Sequence, residues 1–392
     1  MLFTPVQIGP IILRNRSIRS AAFEGHAQKH EVTDSLIQFH EAIARGGIGL
    51  TTVAYAAVQK TGLSFPHQLY IREAILPHLA LLAEKVHQQG AKISIQLGHC
   101  GNMAKYGVTG QRALSASSHL NMYGPAWARK MNQKDIQNTI KAFGDSVRLV
   151  KKAGFDAVEI HAGHGYLISQ FLSPSTNKRK DNYGGSLQNR MRFMGEVISE
   201  VLEAADNEIA VLVKMNMSDG FPGGVELDES LEMAQYLEQL GVHALVLSSG
   251  FVSRAPMEVM RGAMPLKTLA AHSGNRFLGK FIEWFGKSMI PPVPFKEIYF
   301  LENARKFRAA LSLPLVYVGG IRSRDNMEEV LGEGFDAVAM ARVLIKDPDF
   351  IQKIEKEDLQ KSTCDTCNHC IAVIYNGPVE CIQNKQVIAK QL

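Results

Sequence analysis

The stretch KKAGFDAVEI, residues 151–160, shows the pattern that decides the fold: the end of an amphipathic helix, a glycine, and a short apolar run. The same pattern recurs at residues 44–53, 87–97, 238–247 and 332–340. The glycine suits a helix C-cap, where the left-handed conformation costs little without a Cβ. The apolar runs are continuous rather than alternating, which is typical of parallel strands buried on both faces.

Three further strands complete the set. Residues 209–215 and 313–320 are apolar runs that follow helices predicted at about 187–204 and 300–311, and a short strand fits near Ser17–Ala22. Eight strands alternating with helices predict a closed (β/α)8 TIM barrel, with its active site at the carboxyl ends of the strands. The alternative is a doubly wound open sheet, but no glycine-rich fingerprint follows the first strand.

The barrel is predicted to span residues 1–350, followed by a helical, cysteine-rich extension at 351–392. Two long loops leave carboxyl ends of strands, at about 98–132 after strand 3 and 250–298 after strand 6, so both could cap a substrate. The second loop is predicted either to be an apolar capping insertion or to pack around an extra helix. Its apolar residues are Met257, Met260, Met264, Trp284, Phe285 and Pro291–Pro294.

Composition and charge limit the class of protein. The 392 residues are 46% hydrophobic and 21% charged, with a net charge of +5, as in an ordinary globular enzyme. The chain has no basic run, no signal peptide, and no window of about 18 apolar residues. Four of the five cysteines cluster within 364–381, which suits a reducing compartment. We expect a cytoplasmic protein without nucleic-acid or membrane partners, and a homo-oligomer is left open.

Polar side chains cluster where the fourth strand ends. His161, His164 and Tyr166 emerge within six residues, at the face where barrel catalysts lie. Neutral imidazoles donate hydrogen bonds to carbonyl oxygens or anions, and a tyrosine hydroxyl with an ordinary pKa of about 10 can donate a proton. A metal site would need a third ligand, and Glu159 is expected to point away on a regular strand. A catalytic role is therefore favoured over loop packing.

Other polar residues suit a charged ligand. Lys214 lies inside the apolar run of strand 5, so it must form an ion pair with a barrel carboxylate such as Glu159, or stabilise an anionic cofactor. Gln96 is likewise polar within strand 3. Gly319–Gly320 follow strand 7 and Arg342 follows strand 8, where such barrels commonly bind phosphate. Turn glycines and a surface arginine are the alternative.

A longer motif points to a known family. The stretch HAGHGYLISQFLSPSTNKRKDNYGGSLQNR, residues 161–190, resembles the Old Yellow Enzyme family of NAD(P)H:flavin oxidoreductases, in its 2,4-dienoyl-CoA-reductase-like branch without the FAD/NADPH domain. The resemblance runs from Leu2 to about Phe350. It is supported by LFxP at 2–5 with Asn15-Arg16, by QLxH at 96–99 and by PFKExYF at 294–300.

The resemblance implies FMN at the carboxyl end of the barrel, with NAD(P)H as the reductant. The residues that would line the flavin through their backbone are Ser20, Ala21, Ala22 and Tyr55. Those that would bond its pyrimidine edge are Gln96 and Lys214. Those that would hold its phosphate are Gly319, Gly320, Ala341 and Arg342.

The resemblance also implies an ene-reductase activity on α,β-unsaturated carbonyl compounds. His161 and His164 would bond the carbonyl oxygen, and Tyr166 would be the proton donor. Two positions depart from the family pattern. Phe23 stands where many relatives have Thr or Cys beside the flavin. Lys214 stands where many have Arg, which keeps the charge but not the planar fork.

Four cysteines follow the barrel, as Cys364-x2-Cys367-x2-Cys370-x10-Cys381. In the larger relatives a similar cluster carries an iron–sulfur centre, but here each of the last two intervals is one residue shorter and no reductase domain is expected after residue 392. A [4Fe–4S] cluster, a four-thiolate zinc site and unmetallated thiols are all compatible, and unmetallated thiols are favoured. The competing functions are an iron–sulfur flavoprotein that exchanges electrons with a partner protein, and a flavin-free phosphate-binding barrel isomerase or lyase.

Overall fold

The computed structural model describes residues 1–121 and 126–384, so residues 122–125 of the first long loop and 385–392 of the predicted extension lie outside the described residues. Eight parallel strands form a closed barrel, which confirms the predicted (β/α)8 fold. The strands are β1 (Ser17–Arg19), β2 (Leu50–Ala57), β3 (Lys92–Gly98), β4 (Ala157–His161), β5 (Ala210–Asn216), β6 (Ala244–Ser248), β7 (Leu315–Val318) and β8 (Ala337–Met340). The barrel closes where β8 pairs with β1, through Val338 and Ser17.

Helices surround the barrel and bury one apolar face each against the strands. They are α1 (Asp34–Arg45), α2 (Leu76–Gln88), α3 (Gln133–Lys152), α4 (Leu187–Ala205), α5 (Leu227–Leu240), α6 (Leu301–Ala310), α7 (Arg324–Gly332) and α8 (Phe350–Glu355). The glycine before each of the five recurring strands has a positive φ, between +73° and +95°, as a left-handed C-cap requires. These glycines are Gly47, Gly90, Gly154, Gly241 and Gly334.

An N-terminal hairpin closes the amino end of the barrel. Its two strands, Val6–Ile8 and Ile11–Leu13, pair in antiparallel fashion. Their buried side chains join the inward-facing residues of the barrel, among them Leu50, Leu212 and Val316, in one apolar cluster. Because apolar side chains fill this end, the carboxyl end is the one that can receive a ligand.

Both long loops are structured. The loop after β3 contains a helical turn at Gly101–Met103, the helix Tyr106–Thr109 and the strands Leu114–Ser115, His119–Asn121 and Ala126–Lys130. The insertion after β6 contains the helices Pro256–Met260, Leu266–Ala271 and Arg276–Met289. We call residues 256–293 the cap. The remaining short helices are Lys60–Gly62, Glu73–Ile75, Leu167–Leu172, Arg342–Lys346 and His369–Val373.

The two expectations for the cap both hold in part. Met257 and Met264 pack inside it with Ala372 from the segment beyond the barrel. Met260 lines the pocket at the open end of the barrel. Trp284 has 76% of its surface exposed, so it caps nothing.

The chain returns across the open end of the barrel after α8. The amide of Ser362 donates to the Arg322 carbonyl at 2.7 Å, and the amide of Val379 donates to the Glu24 carbonyl at 2.7 Å. The segment between them therefore covers the pocket mouth. Within the described residues, no helix combines the length and apolarity needed to cross a membrane.

Candidate active site

One pocket at the carboxyl ends of the strands brings together all the residues predicted for flavin and substrate. The barrel achieves this, although the residues are spread over more than three hundred positions of the chain, because each lies in the carboxyl-terminal half of a strand or in the loop that follows it. The predicted residues that line this pocket are Ser20, Ala21, Ala22, Tyr55, Gln96, His161, His164, Tyr166, Lys214, Gly319, Gly320, Ala341 and Arg342.

A buried polar cluster forms the floor of the pocket. Lys214 Nζ lies 2.9 Å from Glu159 Oε1, and Gln96 Nε2 donates to the same oxygen at 2.7 Å. Lys214 also donates to Ser20 Oγ at 3.3 Å and to the Ala21 carbonyl at 3.2 Å. Burial lowers the pKa of Lys214, while Glu159 acts to raise it. Both predicted roles for Lys214 are thus compatible, since it is ion-paired and also lines the pocket.

Glu159 does not point away from His161, and that expectation was wrong. The two residues are two positions apart on β4, so their side chains share one face of the strand and both enter the barrel. The Glu159 carboxylate is occupied by Lys214 and Gln96. In the part of the chain that the structure describes, no three His, Cys, Asp or Glu side chains are grouped to hold a metal ion.

The two histidines and the tyrosine form an aromatic wall above this floor. The His161 ring lies 4.3 Å from the Tyr166 ring and 5.1 Å from the His164 ring, centroid to centroid. His161 Nδ1 accepts a hydrogen bond from the Gly163 amide at 3.4 Å, so in the neutral ring Nε2 carries the proton. His164 Nε2 lies 2.7 Å from Ser248 Oγ, which orients the ring. Ser248 ends β6 and was not predicted, although a polar residue at a strand end is a usable signal.

The protonation states follow from burial. Burial, His164 and Lys214 together lower the pKa of His161 well below its usual range. Burial, with the nearby charge of Lys214, lowers the pKa of His164 to about 3. Burial raises the pKa of Tyr166 above its ordinary value. At neutral pH the site therefore offers two uncharged imidazoles and a protonated phenol, which are hydrogen-bond and proton donors.

The part of the pocket formed by the loops after β7 and β8 suits an anion. A Cβ on Gly319 would lie 2.7 Å from Phe300 Cδ2, and one on Gly320 would lie 2.6 Å from the Ile298 amide nitrogen, so only glycine fits. Arg322, which follows these glycines, was not predicted as a site residue. Arg322 and Arg342 both lie over the Phe295 ring, at 5.7 and 5.8 Å from its centroid.

Arg322 also has a spare donor. Its Nε is buried and has no hydrogen-bond partner among the residues that the structure describes. A buried donor without a partner costs free energy, so a ligand oxygen would be favoured there. In the sequence this arginine comes two residues after the glycine pair, but the phosphate was assigned to Gly319, Gly320, Ala341 and Arg342 alone.

Most of the outer wall of the pocket comes from residues that no sequence pattern indicated. Phe23 stacks on Phe65 with 4.8 Å between ring centroids, at the position where the family pattern differs. Ile374 and Tyr375, from the segment beyond the barrel, line the same pocket. Phe65, Ile374 and Tyr375 reach the pocket only through the packing of distant segments, and local periodicity carries no information about such contacts.

The four C-terminal cysteines surround a small cavity that adjoins the pocket. Cys364, Cys367, Cys370 and Cys381 all line it, together with Arg342. All four are free thiols. Burial raises the pKa of Cys370 to about 12, so this thiol stays protonated at neutral pH.

Most of the long motif at residues 161–190 serves the scaffold. Arg179 donates to the carbonyls of Ala116 and Met131, both at 2.9 Å, and so ties the loop after β4 to the loop after β3. Only residues 161–166 of the motif reach the pocket. The motif is thus a better indicator of the protein family than of the chemistry of the site.

A barrel pocket lined by a buried lysine, and by glycines and arginines that follow its last two strands, is typical of enzymes that hold a phosphorylated cofactor. Comparison with known proteins makes this specific. The chain belongs to the NADH:flavin oxidoreductase / NADH oxidase family, whose model matches residues 1–361. It is therefore an NAD(P)H-dependent flavin oxidoreductase, and its family implies FMN as the cofactor.

Similar proteins differ in length and activity. The chain is 39% identical to the 4,4'-dithiodibutanoate disulfide reductase of Rhodococcus erythropolis, over 391 residues that cover 100% of this chain and 96% of that protein. It is 32% identical to the Metal reductase of Desulforamulus reducens over 98% of this chain, but it spans only 54% of that protein. The solved structure of the old yellow enzyme homologue from Zymomonas mobilis shares the fold, with a TM-score of 0.73, 23% identity, and coverage of 93% of this chain and 95% of that one.

Proposed function

We propose that the protein uses NAD(P)H and FMN to reduce the C=C bond of α,β-unsaturated carbonyl compounds. The observation that carries the proposal is that neutral His161 and His164 converge with protonated Tyr166 in one pocket. These groups can polarise a carbonyl oxygen and supply a proton, which are the two demands that reduction of an activated alkene makes on an enzyme.

The residues present suit FMN. The anion cradle of Gly319–Gly320, Ala341 and Arg342, with the spare donor of Arg322, would hold the phosphate. Gln96 and Lys214 would bond the pyrimidine edge, and Ser20, Ala21, Ala22 and Tyr55 would line the ring. When bound, FMN would supply hydride transfer between NAD(P)H and the substrate. Lys214 would offset negative charge at the pyrimidine edge, because Glu159 holds it in place there.

The histidines and the tyrosine then have separate tasks. His161 Nε2–H would donate to the substrate's carbonyl oxygen, since its Nδ1 already accepts from Gly163. His164 would add a second hydrogen bond to the same oxygen, in an orientation fixed by Ser248. Tyr166 would give its hydroxyl proton to the α-carbon.

Replacing Tyr166 tests this assignment. Tyr166→Phe should slow alkene reduction about a hundredfold or more, in line with the usual contribution of a general acid. It should leave reduction of the enzyme by NAD(P)H unchanged, because that half-reaction needs no proton from the phenol. Stopped-flow absorption separates the two half-reactions, and the exposed Tyr106→Phe is the matched control. An unchanged rate of alkene reduction would remove Tyr166 from this role.

A second candidate is reduction of a disulfide. It is favoured by the 39% identity to the Rhodococcus disulfide reductase over nearly the full length of both chains. Here Tyr166 would protonate a departing thiolate in place of a carbon. Rates with 4,4'-dithiodibutanoate and with a simple enone, measured on one preparation, decide between the two substrates.

An iron–sulfur flavoprotein is the narrower alternative. The four thiols line one cavity with Arg342, although among the described residues no three such side chains are grouped to hold a metal ion. Assays for iron and acid-labile sulfide on anaerobically purified protein test it. A flavin-free isomerase or lyase has no support, since the family is one of flavin oxidoreductases.

A further inference from the structure

The last helix of the cap, Arg276–Met289, presents its large apolar side chains to solvent. Phe277 has 86% of its surface exposed and Trp284 has 76%. The other exposed apolar residues of this helix are Leu278, Phe281, Phe285 and Met289. Six of the twelve large hydrophobic residues that are exposed in the described chain thus lie on one fourteen-residue helix. Such a concentration marks a binding surface.

The aromatic residues share one face of the helix. Phe277, Phe281, Trp284 and Phe285 follow the spacing i, i+4, i+7, i+8, which places them on one side. The opposite side carries the buried Gly279 and Gly286.

The glycine side fixes the orientation of the helix. A Cβ on Gly286 would lie 2.7 Å from Leu266 Cδ2, and one on Gly279 would lie 3.0 Å from the Ala270 carbonyl. The helix therefore packs closely on the preceding helix, Leu266–Ala271. Because only this side is small enough to pack there, the aromatic face stays outward.

Cations border the aromatic face. Arg276, Lys280 and Lys287 are exposed along one edge of the helix, with Glu283 as the carboxylate among them. Lys267, from the preceding helix, joins Arg276 and Lys280 around a shallow cavity beside this edge. Aromatic side chains next to a row of cations are typical of helices that lie in the interface of an anionic membrane. We propose that this helix binds the surface of an anionic phospholipid bilayer.

The length of the helix and the charge of its edge both suit the surface of an anionic bilayer. Fourteen residues span about 21 Å, less than the roughly 30 Å hydrocarbon core, so the helix would lie along the surface. The phosphates of the lipid would meet Lys267, Arg276 and Lys280. A second copy of the chain fits this surface less well, because it would bring the same positive edge to the contact and like charges would meet.

This proposal departs from the expectation of no membrane partner. That expectation rested on the absence of a basic run and of a long apolar window. Here the cations at positions 276, 280 and 287 are separated in sequence and come together only on the helix edge. The contact is independent of the proposed reaction.

Vesicle binding by the full chain tests the proposal. We expect the protein to co-sediment with vesicles of phosphatidylcholine containing phosphatidylglycerol, and less with pure phosphatidylcholine, since the cations contribute. The double variant Phe277→Ser, Trp284→Ser should lower the partition coefficient about tenfold or more, because it removes two apolar anchors. Trp127→Ser is the matched control, because Trp127 is 59% exposed on a different loop.

Fluorescence gives a second readout. The variant Trp127→Phe leaves Trp284 as the single tryptophan, and its emission should shift to the blue with anionic vesicles. Unchanged NAD(P)H oxidation by the double variant shows that it is folded. Absence of binding to any vesicle would overturn the proposal. So would a dimer of the wild-type chain that the double variant converts to a monomer, since the face would then bind a second copy.

Discussion

Lys214 and Glu159 are the pair of residues on which the floor of the pocket depends. Both are almost fully buried, so removal of one leaves the other charge without its ion-pair partner. Lys214→Met should lower the free energy of unfolding by about 3–5 kcal/mol. Adding Glu159→Gln to that variant should restore most of the stability but not the affinity for FMN. Denaturant unfolding and FMN titration measure the two effects, and full recovery of FMN affinity would show that Lys214 is only structural.

The buried histidines predict a flat pH dependence of substrate binding. The pKa of His164 is lowered to about 3 and that of His161 lies well below its usual range. A lowered pKa means that the neutral form persists as the pH falls, so neither ring gains a proton between about pH 8 and about pH 5. The KM for the oxidising substrate should stay constant over that interval. A titration near pH 6.5 that disappears in His164→Asn would contradict this assignment.

Arg322 and Arg342 should bind phosphate but not the flavin ring. Arg322→Ala should weaken FMN about ten- to a hundredfold, the usual effect of losing a hydrogen bond to a charged group. Riboflavin, which lacks the phosphate, is the control and should bind the variant and the wild type equally. Fluorescence titration of the apoprotein measures both. Equal weakening of the two ligands would mean that Arg322 acts through the structure of the pocket.

At the residue scale, sequence patterns predicted those residues of the candidate site whose place follows from their position on a strand. His161, Lys214 and Gly320 could be placed because each lies near the carboxyl end of a predicted strand or just after it. The prediction placed Glu159 on the wrong face of β4, because residues two positions apart on a strand, such as Glu159 and His161, share one face. Phe65 could not be found, since only the packing of distant loops brings it to the pocket.

At the scale of elements, the glycine caps were predictable because a left-handed turn has a local sequence signature. Gly334, with φ at +90°, follows α7, whereas Gly332 ends that helix without a positive φ. Gly334→Ala should lower the free energy of unfolding by about 1–2 kcal/mol, the cost of a Cβ in the left-handed region.

Gly332→Ala is the control for that variant. A Cβ at this position meets nothing within 4 Å. Alanine favours the helix, so the variant should be neutral or more stable by up to about 1 kcal/mol. Thermal or denaturant unfolding compares the two. Equal destabilisation by both substitutions would show that the φ of Gly334 does not limit stability.

The cap was less predictable than the barrel helices. Its apolar residues predicted a packed element, but the sequence did not show which of these side chains face inward. Met257 is buried and Trp284 is exposed, although both are large and apolar. The outcome depends on Gly279 and Gly286, whose small size lets one face pack and leaves the other outside.

At the scale of the whole molecule, the closed barrel could be predicted because its strands and helices alternate strictly along the chain. The segment beyond α8 could not, because it crosses the open end through contacts such as that of Val379 with Glu24. The domain boundary predicted at residue 350 stays a prediction, and α8 begins at that residue. The segment after it contributes Tyr375 to the pocket wall, so substrate choice is expected to depend on both parts of the chain.

The central claim is that the pocket holds FMN and that NAD(P)H reduces it. The most direct measurement is the absorption spectrum of oxygen-free protein, recorded before and after addition of NADH or NADPH. We predict a two-peaked flavin spectrum that bleaches with at least one of the two nucleotides. A colourless protein that also fails to take up added FMN would contradict the account.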